Sequence, residues 1–209
     1  MKILSVSPYP VYPMDFGGQI KIFNIARGLA AAGNEVTLAY NFTNWGKKID
    51  GVVDGVNLRS FKTYFQDIGA WLQQRNIAPL IITEPFNSAI GPNFRSMLNG
   101  YDAVIFEQPF LSSWMRQINR SSVIIYSSHN IETDFEELYN QKHLLDKTYT
   151  RMLSRCEKRA IDLSDVVLTV TEEDKAKMGN LYGRREGIYV IPNGFTMPGE
   201  YSKSDLRYS

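Results

Sequence analysis

Two adjacent glycines, one histidine and a few carboxylates at strand ends are the residues whose types and spacing suit chemistry. Gly17 and Gly18 directly precede a run of helical periodicity. Backbone N–H groups and the positive end of a helix dipole would there face an anion, and the missing side chains would let it come close. Glycines that merely let a loop turn would read the same way. The apolar segment Ser122–Ser127 is followed at once by Ser128-His129-Asn130, which puts His129 at the end of a strand, where an imidazole can donate to a phosphate or a sugar hydroxyl, or accept a proton. Glu132 stands three residues on, at a helix start, either complementing the dipole or joining the chemistry. Glu107 ends another strand and reads as a general base for an acceptor hydroxyl or as a hydrogen-bonded loop anchor. Tyr9, Tyr12, Phe16, Phe42 and Trp45 fall in loops, where aromatic rings stack on a sugar, touch lipid or pack the loop.

The elements that must position these residues follow from periodicity. Lys2–Ser7 reads as a buried strand, Gln19–Ala32 as a helix with Ile22, Ile25, Ala26, Leu29 and Ala30 at helical spacing, and Glu35–Tyr40 as a second strand. Gly33 sits where a left-handed C-cap is expected. This is a βαβ unit with parallel strands. Val56–Phe61 reads as a strand, Phe65–Arg75 as a helix, Ile77–Thr83 as a mixed segment and Ser88–Leu98 as a helix. Asp102–Glu107 and Ser122–Ser127 are short apolar strands. A long helix is expected from Ile131 to Leu163, then a strand Val166–Val170, a helix Glu172–Leu181 opened by a Thr171–Asp174 capping box, and a strand Ile188–Ile191. The alternation predicts an α/β fold with a doubly wound, mostly parallel, Rossmann-like sheet, whose ligands bind at the carboxyl ends of the strands. Gly17-Gly18, Glu107-Gln108, Ser128 to Glu132, Thr171 to Asp174 and Asn193-Gly194 all lie there. Residues 1–195 form one domain on this reading, and the polar stretch 196–209 is a linker or tail.

Composition limits the function classes. The chain has 209 residues, 44% hydrophobic and 22% charged, with a formal net charge of +1, so it can bury a sizeable core and carries no long-range field calling for nucleic acid. One cysteine and two histidines leave no disulfide and no metal site to expect. No apolar run approaches the roughly 20 residues of a membrane span, and the N-terminus lacks a signal-peptide core, so a cytoplasmic location is expected. In the long helix Lys147, Arg151, Arg155, Lys158 and Arg159 share an arc of roughly 120°, opposite an apolar stripe of Leu145, Tyr149, Met152, Cys156 and Ala160. The basic stripe is open to two readings, a solvated face or attraction to anionic lipid head groups. The absence of G-x-x-x-x-G-K-[ST], G-x-G-x-x-G and G-x-S-x-G speaks against P-loop hydrolysis, dinucleotide redox chemistry and a Ser-His-Asp hydrolase.

These residues resemble a family in combination. Met1-Lys-Ile-Leu with Pro10, Gly17-Gly18 and Leu29-Ala-Ala-Ala-Gly-Asn-Glu-Val36 look like the opening of GT-B fold glycosyltransferases, particularly retaining family 4. His129-Asn-Ile-Glu132, Asp165-Val-Val-Leu-Thr-Val-Thr-Glu172 and Ile191-Pro-Asn-Gly194 look like three further landmarks in the same order. The resemblance implies a single N-terminal half of a GT-B architecture, holding the acceptor, while a nucleotide-sugar donor binds mainly to a second, C-terminal domain in cis or in trans. It implies that Gly17 and Gly18 approach the donor diphosphate, that His129 and Glu107 are the catalytic candidates, and that Phe16, Trp45, Asn130 and Glu132 contact acceptor or sugar. Asn193 and Gly194 would lead into a hinge. No cofactor is implied, the nucleotide-diphosphate sugar being a co-substrate, and no metal, consistent with the missing Asp-x-Asp. The acceptor would be a glycan, a lipid-linked sugar or a small molecule, with peripheral contact at the cytoplasmic membrane face when it is lipid-borne. Lacking the donor domain, the chain is expected to be inactive alone. The competing expectation is a non-catalytic binding module, or one subunit of a split enzyme.

Overall fold

The computed structural model describes residues 1–42, 48–63, 65–75, 96–134 and 146–194. Its strands are β1 (Lys2–Ser7), β2 (Glu35–Asn41), β3 (Gly51–Val53), β4 (Val56–Phe61), β5 (Ala103–Glu107), β6 (Val123–Ser127), β7 (Val166–Thr169) and β8 (Ile188–Val190). They form one sheet in the order β3-β4-β2-β1-β5-β6-β7-β8, parallel throughout except for the β3–β4 pair. The helices are α1 (Gly17–Ala31), α2 (Gln66–Gln74), α3 (Asp146–Leu163) and α4 (Glu172–Tyr182), with a 3-10 helix over Pro109–Gln117.

β1 explains the layering. Its residues Ile3 to Ser7 are all buried, as a central strand covered on both faces requires. Alternate side chains feed two cores. Ile3 packs with Ile22, Phe23 and Ala26 of α1 and with Leu38, Tyr40, Leu58 and Ile105. Leu4 and Val6 pack on the opposite face with Val104, Phe106 and Tyr126, beneath Leu111, Trp114 and Met115 of the 3-10 helix, Ala160 and Ile161 of α3 and Met178 of α4. On the α1 face beyond β5, Val123, Tyr189 and Ile191 remain exposed.

Most expected elements are present within one or two residues of their expected ends. Gly33, at φ +86°, closes α1 in the left-handed conformation that a side chain would resist. Thr171 caps α4, its hydroxyl oxygen accepting from the Asp174 N–H at 3.0 Å. Two differences have physical causes. β3 was not expected, although Asp54-Gly55 between Val53 and Val56 is a hairpin signal, and both turn residues have positive φ, 48° and 81°. The 3-10 helix was missed because its apolar residues fit neither a helical nor a strand period. The long helix is described as helical residues 132–134 and as α3, the part between lying outside the described residues with Leu145 and His143. Ile77–Thr83, most of Ser88–Leu98, Trp45 and the tail 196–209 lie outside them as well.

The C-terminal end of α3 meets a device that periodicity does not reveal. The Arg184 guanidinium donates to the carbonyls of Ile161 at 2.5 Å, Ser164 at 2.6 Å, Asp165 at 2.7 Å and Glu186 at 2.9 Å. A planar fork thus satisfies carbonyls that the helix leaves without internal donors. Arg184→Lys should lower the urea unfolding free energy by about 1–3 kcal/mol, whereas Arg185→Lys next to it should leave it unchanged.

Candidate functional site

The sheet reverses its direction of winding between β1 and β5: the chain moves outward to β2 and β4 on one side and to β6, β7 and β8 on the other. The crevice at such a switch point is where open α/β sheets bind ligands. Ser7 ends β1 there, Glu107 ends β5, α1 begins just beyond β1, and His129 lies two residues past β6.

At its centre is a paired carboxylate. Glu107 is 1% exposed. Its Oε1 accepts from the Ser5 hydroxyl at 3.0 Å, and its Oε2 lies 3.0 Å from His129 Nε2. Burial alone would raise the Glu107 carboxyl, but the hydrogen bond and charge of His129, with the charge of Lys21, outweigh it and hold the group below the usual carboxylate range. An ionised carboxylate can only accept, so Nε2 of His129 carries the proton and Nδ1 is the nitrogen left for other work. His129 itself is 7% exposed in its side chain.

Nδ1 faces the start of α1. A Cβ placed on Gly18 would stand 3.7 Å from it, 3.4 Å from the Phe16 ring and only 2.6 Å from the Tyr9 hydroxyl; one placed on Gly17 would meet nothing within 4 Å. The two glycines therefore differ. Gly18 permits a close approach inside the site, while Gly17 leaves open space at the helix N-terminus. Gln19 fixes the loop before them: its Oε1 accepts from Asp15 N at 2.6 Å and Phe16 N at 3.3 Å, and its Nε2 donates to Pro10 O at 2.8 Å. Phe16 at the N-cap has no side-chain acceptor, so Gln19 supplies only the returning half of a capping box, at the N-cap N–H.

One cation reaches the same place. Lys21 Nζ donates to Ser128 O at 3.0 Å, and burial lowers its pKa against the attraction of Glu107, Asp174 and Glu132. Burial, with the Glu107 and Glu132 charges, pushes the Tyr9 hydroxyl well up, so it stays a donor. Lys21 also borders a groove of about 330 Å³ that runs along Asn24, Ile25 and Gly28 of α1 opposite Pro192, Asn193 and Gly194.

The structure thus brings together Gly17, Gly18, His129 and Glu107. Phe16 lies at the rim, 50% exposed, with its ring 5.5 Å from that of Tyr9. Asn130 is exposed beside His129, Glu132 is buried, and Asn193 and Gly194 line the groove. Ser5, Lys21 and Gln19 were missed from sequence. Lys21 and Gln19 lie in the first turns of the glycine-led helix, which was a usable signal, but nothing marks Ser5 until β1 and β5 are neighbours. Among the described residues no group of three or more His, Cys, Asp or Glu side chains is placed to hold a metal, and no helix is long and apolar enough to cross a membrane.

Two outcomes follow for the folded protein. Gly17→Ala, on a helix in open space, should stabilise it by about 0.4–1 kcal/mol, while Gly18→Ala must displace Tyr9 and should destabilise it by about 1–3 kcal/mol, read from thermal melts. Because the Glu107 carboxyl is held low, its stabilising contribution is complete above the ordinary value of about 4.3 and lost as pH falls through the lower folded value. Glu107→Gln should therefore flatten the acid limb of melting temperature against pH; an unchanged limb would mean that the pair stabilises nothing.

Comparison with known proteins agrees with this geometry. No curated protein matches the chain in sequence. Among solved structures, sucrose-phosphate synthase from Thermosynechococcus elongatus superposes with a TM-score of 0.64 at 14% identity over 92% of this chain and 48% of that one. Anabaena HepE in complex with UDP and glucose gives 0.53 at 16% identity over 93% and 45%. Phytolacca americana UGT2 complexed with UDP-2-fluoro-glucose and pterostilbene gives 0.54 at 11% over 96% and 55%. The chain spans about half the length of these structures, and they share its fold. Residues 17–196 match the family described as Glycosyltransferase Family 4, a stretch that contains both glycines, Glu107, His129 and the groove up to Gly194. The chain belongs to glycosyltransferase family 4, with the Rossmann-like fold of one half of a GT-B glycosyltransferase.

Proposed function

We propose that this chain is the acceptor-side half of a retaining glycosyltransferase that moves a sugar from a nucleotide-diphosphate donor to a glycan, lipid-linked or small-molecule acceptor. The donor is held chiefly by a second domain, in cis or in trans, without which the chain turns over little or nothing. The observation that carries this reading is the orientation of His129: Glu107 occupies Nε2, and Nδ1 looks toward Gly18 at the N-terminus of α1. As the bond from sugar to diphosphate breaks, negative charge develops on the leaving phosphate. The Gly17 and Gly18 N–H groups and the helix dipole are the groups here that can receive it, and the imidazole joins them as a donor when Nδ1 is also protonated, a cation that the Glu107 carboxylate on Nε2 favours. Glu107 acts through His129, since both its oxygens are engaged and it is shut off from solvent. The reaction so drawn needs no resident cofactor.

Phe16, Asn130 and Glu132 are proposed to contact acceptor or sugar, as is Trp45, which lies outside the described residues, and Asn193 and Gly194 to lead toward the donor-binding domain. We place the protein in the cytoplasm, with peripheral membrane contact where the acceptor is lipid-linked. Exposed Ile68 and Trp71 on α2, with Arg75 4.5 Å over the Trp71 ring, support that contact. The exposed Val123, Tyr189 and Ile191 favour assembly with another domain or subunit. A non-catalytic module would share that surface and would give His129 no part in transfer.

In the enzyme that unites this chain with its donor-binding half, His129→Ala should lower kcat for transfer from UDP-glucose by about 10²–10⁴-fold in a protein that still folds, with a lower melting temperature because buried Glu107 loses its partner. Normal turnover by that variant would refute the role given to His129. Absence of transfer from any nucleotide sugar, together with tight complex formation, would favour the non-catalytic module.

A further inference from the structure

We infer that Glu157 is a positioning residue for His129: a buried carboxylate on α3 that caps, from across the core, the helical turn following the imidazole. The inference builds on the role proposed for His129, and its structural part can be measured without any donor.

The chain leaves β6 through a tight span. Ser128 N–H donates to Leu168 O of β7 at 2.9 Å, and its hydroxyl donates to Asn130 O at 2.5 Å. Asp134 N–H returns to Ile131 O at 3.1 Å, and residues 132–134 are helical. The first N–H groups of such a turn need an acceptor. Ile131, the residue before it, is 3% exposed and has no polar side-chain atom, so it cannot cap in the way Thr171 caps α4. Buried N–H groups without partners would cost about 1–3 kcal/mol each.

Glu157 supplies what Ile131 lacks. It is 0% exposed, and its Oε1 accepts from Glu132 N at 3.1 Å and from the Tyr126 hydroxyl at 3.3 Å. Its Oε2 accepts from the Thr133 hydroxyl at 3.1 Å, the Thr133 N–H at 3.5 Å and the Tyr182 hydroxyl at 2.6 Å. Three hydroxyls and two backbone amides from three elements, β6, the 132–134 turn and α4, converge on one carboxylate. Burial raises its pKa, opposed by these donors. The expense of a buried charge makes a purely local role a poor explanation, because Ser or Asn at position 131 would cap the turn at lower cost. A carboxylate that reaches in from α3 ties the turn to the core, and an ion pair between Lys177 of α4 and Asp134 ties it again. His129 sits between the sheet anchor at Ser128 and the Glu157 anchor at Glu132 and Thr133. With both ends fixed, its ring meets Glu107 on Nε2 and leaves Nδ1 toward Gly18.

The test is ¹⁵N NMR of the full chain in a His143→Gln background, where His129 is the sole imidazole. The parent protein should show the Nε2–H tautomer, with slow hydrogen exchange at the Glu132 and Thr133 amides. Glu157→Ala should speed that exchange more than tenfold and give His129 a mixture of tautomers. Glu157→Gln keeps the volume and one acceptor oxygen, and should fall between the two; it gives the same readings if Glu157→Ala does not fold. In the complete transferase Glu157→Gln should lower kcat more than it changes KM. A lowered melting temperature with His129 still wholly in the Nε2–H tautomer, in whichever variants fold, would show Glu157 to be structural only and overturn the inference. Normal turnover by His129→Ala would instead overturn the functional reading and leave the link between Glu157 and His129 measured.

Discussion

The carboxylate of Glu107, taken out of water where β1 and β5 part, is the constraint on which the site depends. A buried ion of this kind is costly unless its oxygens are satisfied. Here the satisfaction comes from three separate elements: a hydroxyl from β1, an imidazole from beyond β6 and the charge of a lysine on α1. Each of these groups is fixed in turn by the parallel register that sets β5 between β1 and β6. Shifting β1 by one residue would turn Ser5 to the other face and leave a buried charge one partner short. The sheet order and the orientation of the imidazole are therefore one arrangement.

A second buried carboxylate, Glu157, repeats the logic on the opposite face, where Tyr126, Ala160 and Met178 form the core. Both carboxylates act on the short stretch 128–133, one through its histidine and the other through its backbone. Polar groups buried in this manner add little net stability over well-packed apolar residues. What they supply is geometry, since each accepts only from donors placed at hydrogen-bond distance. Apolar packing sets the layers of this protein, and two carboxylates set the pose of one ring between them.

Much of the fold was legible in the sequence because periodicity reports burial, and burial in a doubly wound sheet follows the chain. β1, α1, β2, β4 and α4 are each one continuous pattern with its own punctuation, Gly33 or Thr171 among them. The candidate site was legible only where chain order places a residue at a strand end, as for His129, Glu107 and the two glycines. Partners were not legible. Ser5 is an ordinary serine until β5 lies beside β1, and Gln19 looks like any helical glutamine until its amide turns back on the loop. Glu157 left a faint signal: with Leu153 four residues before and Ile161 four after, it occupies the buried stripe of α3, where an acidic residue is out of place. The basic face of that helix is the louder pattern, and the buried Glu157 stands on the other side of it.

The electrostatics of the site bear on how much of a transfer reaction this half can perform. Lys21 stands near the start of α1, and Glu107, Asp174 and Glu132 all act on it, while the helix N-terminus contributes roughly half a positive charge. A diphosphate leaving group carries more negative charge than such a balance can neutralise. On the proposed reading these groups orient the leaving phosphate and receive part of its developing charge, with the imidazole nitrogen aimed and the glycines clear. Cations to offset the remainder must then come from the domain that binds the nucleotide. The groove between α1 and Pro192, Asn193 and Gly194 brings the chain back to Lys21, so the stretch after β8 runs past the same lysine that helps hold Glu107 ionised.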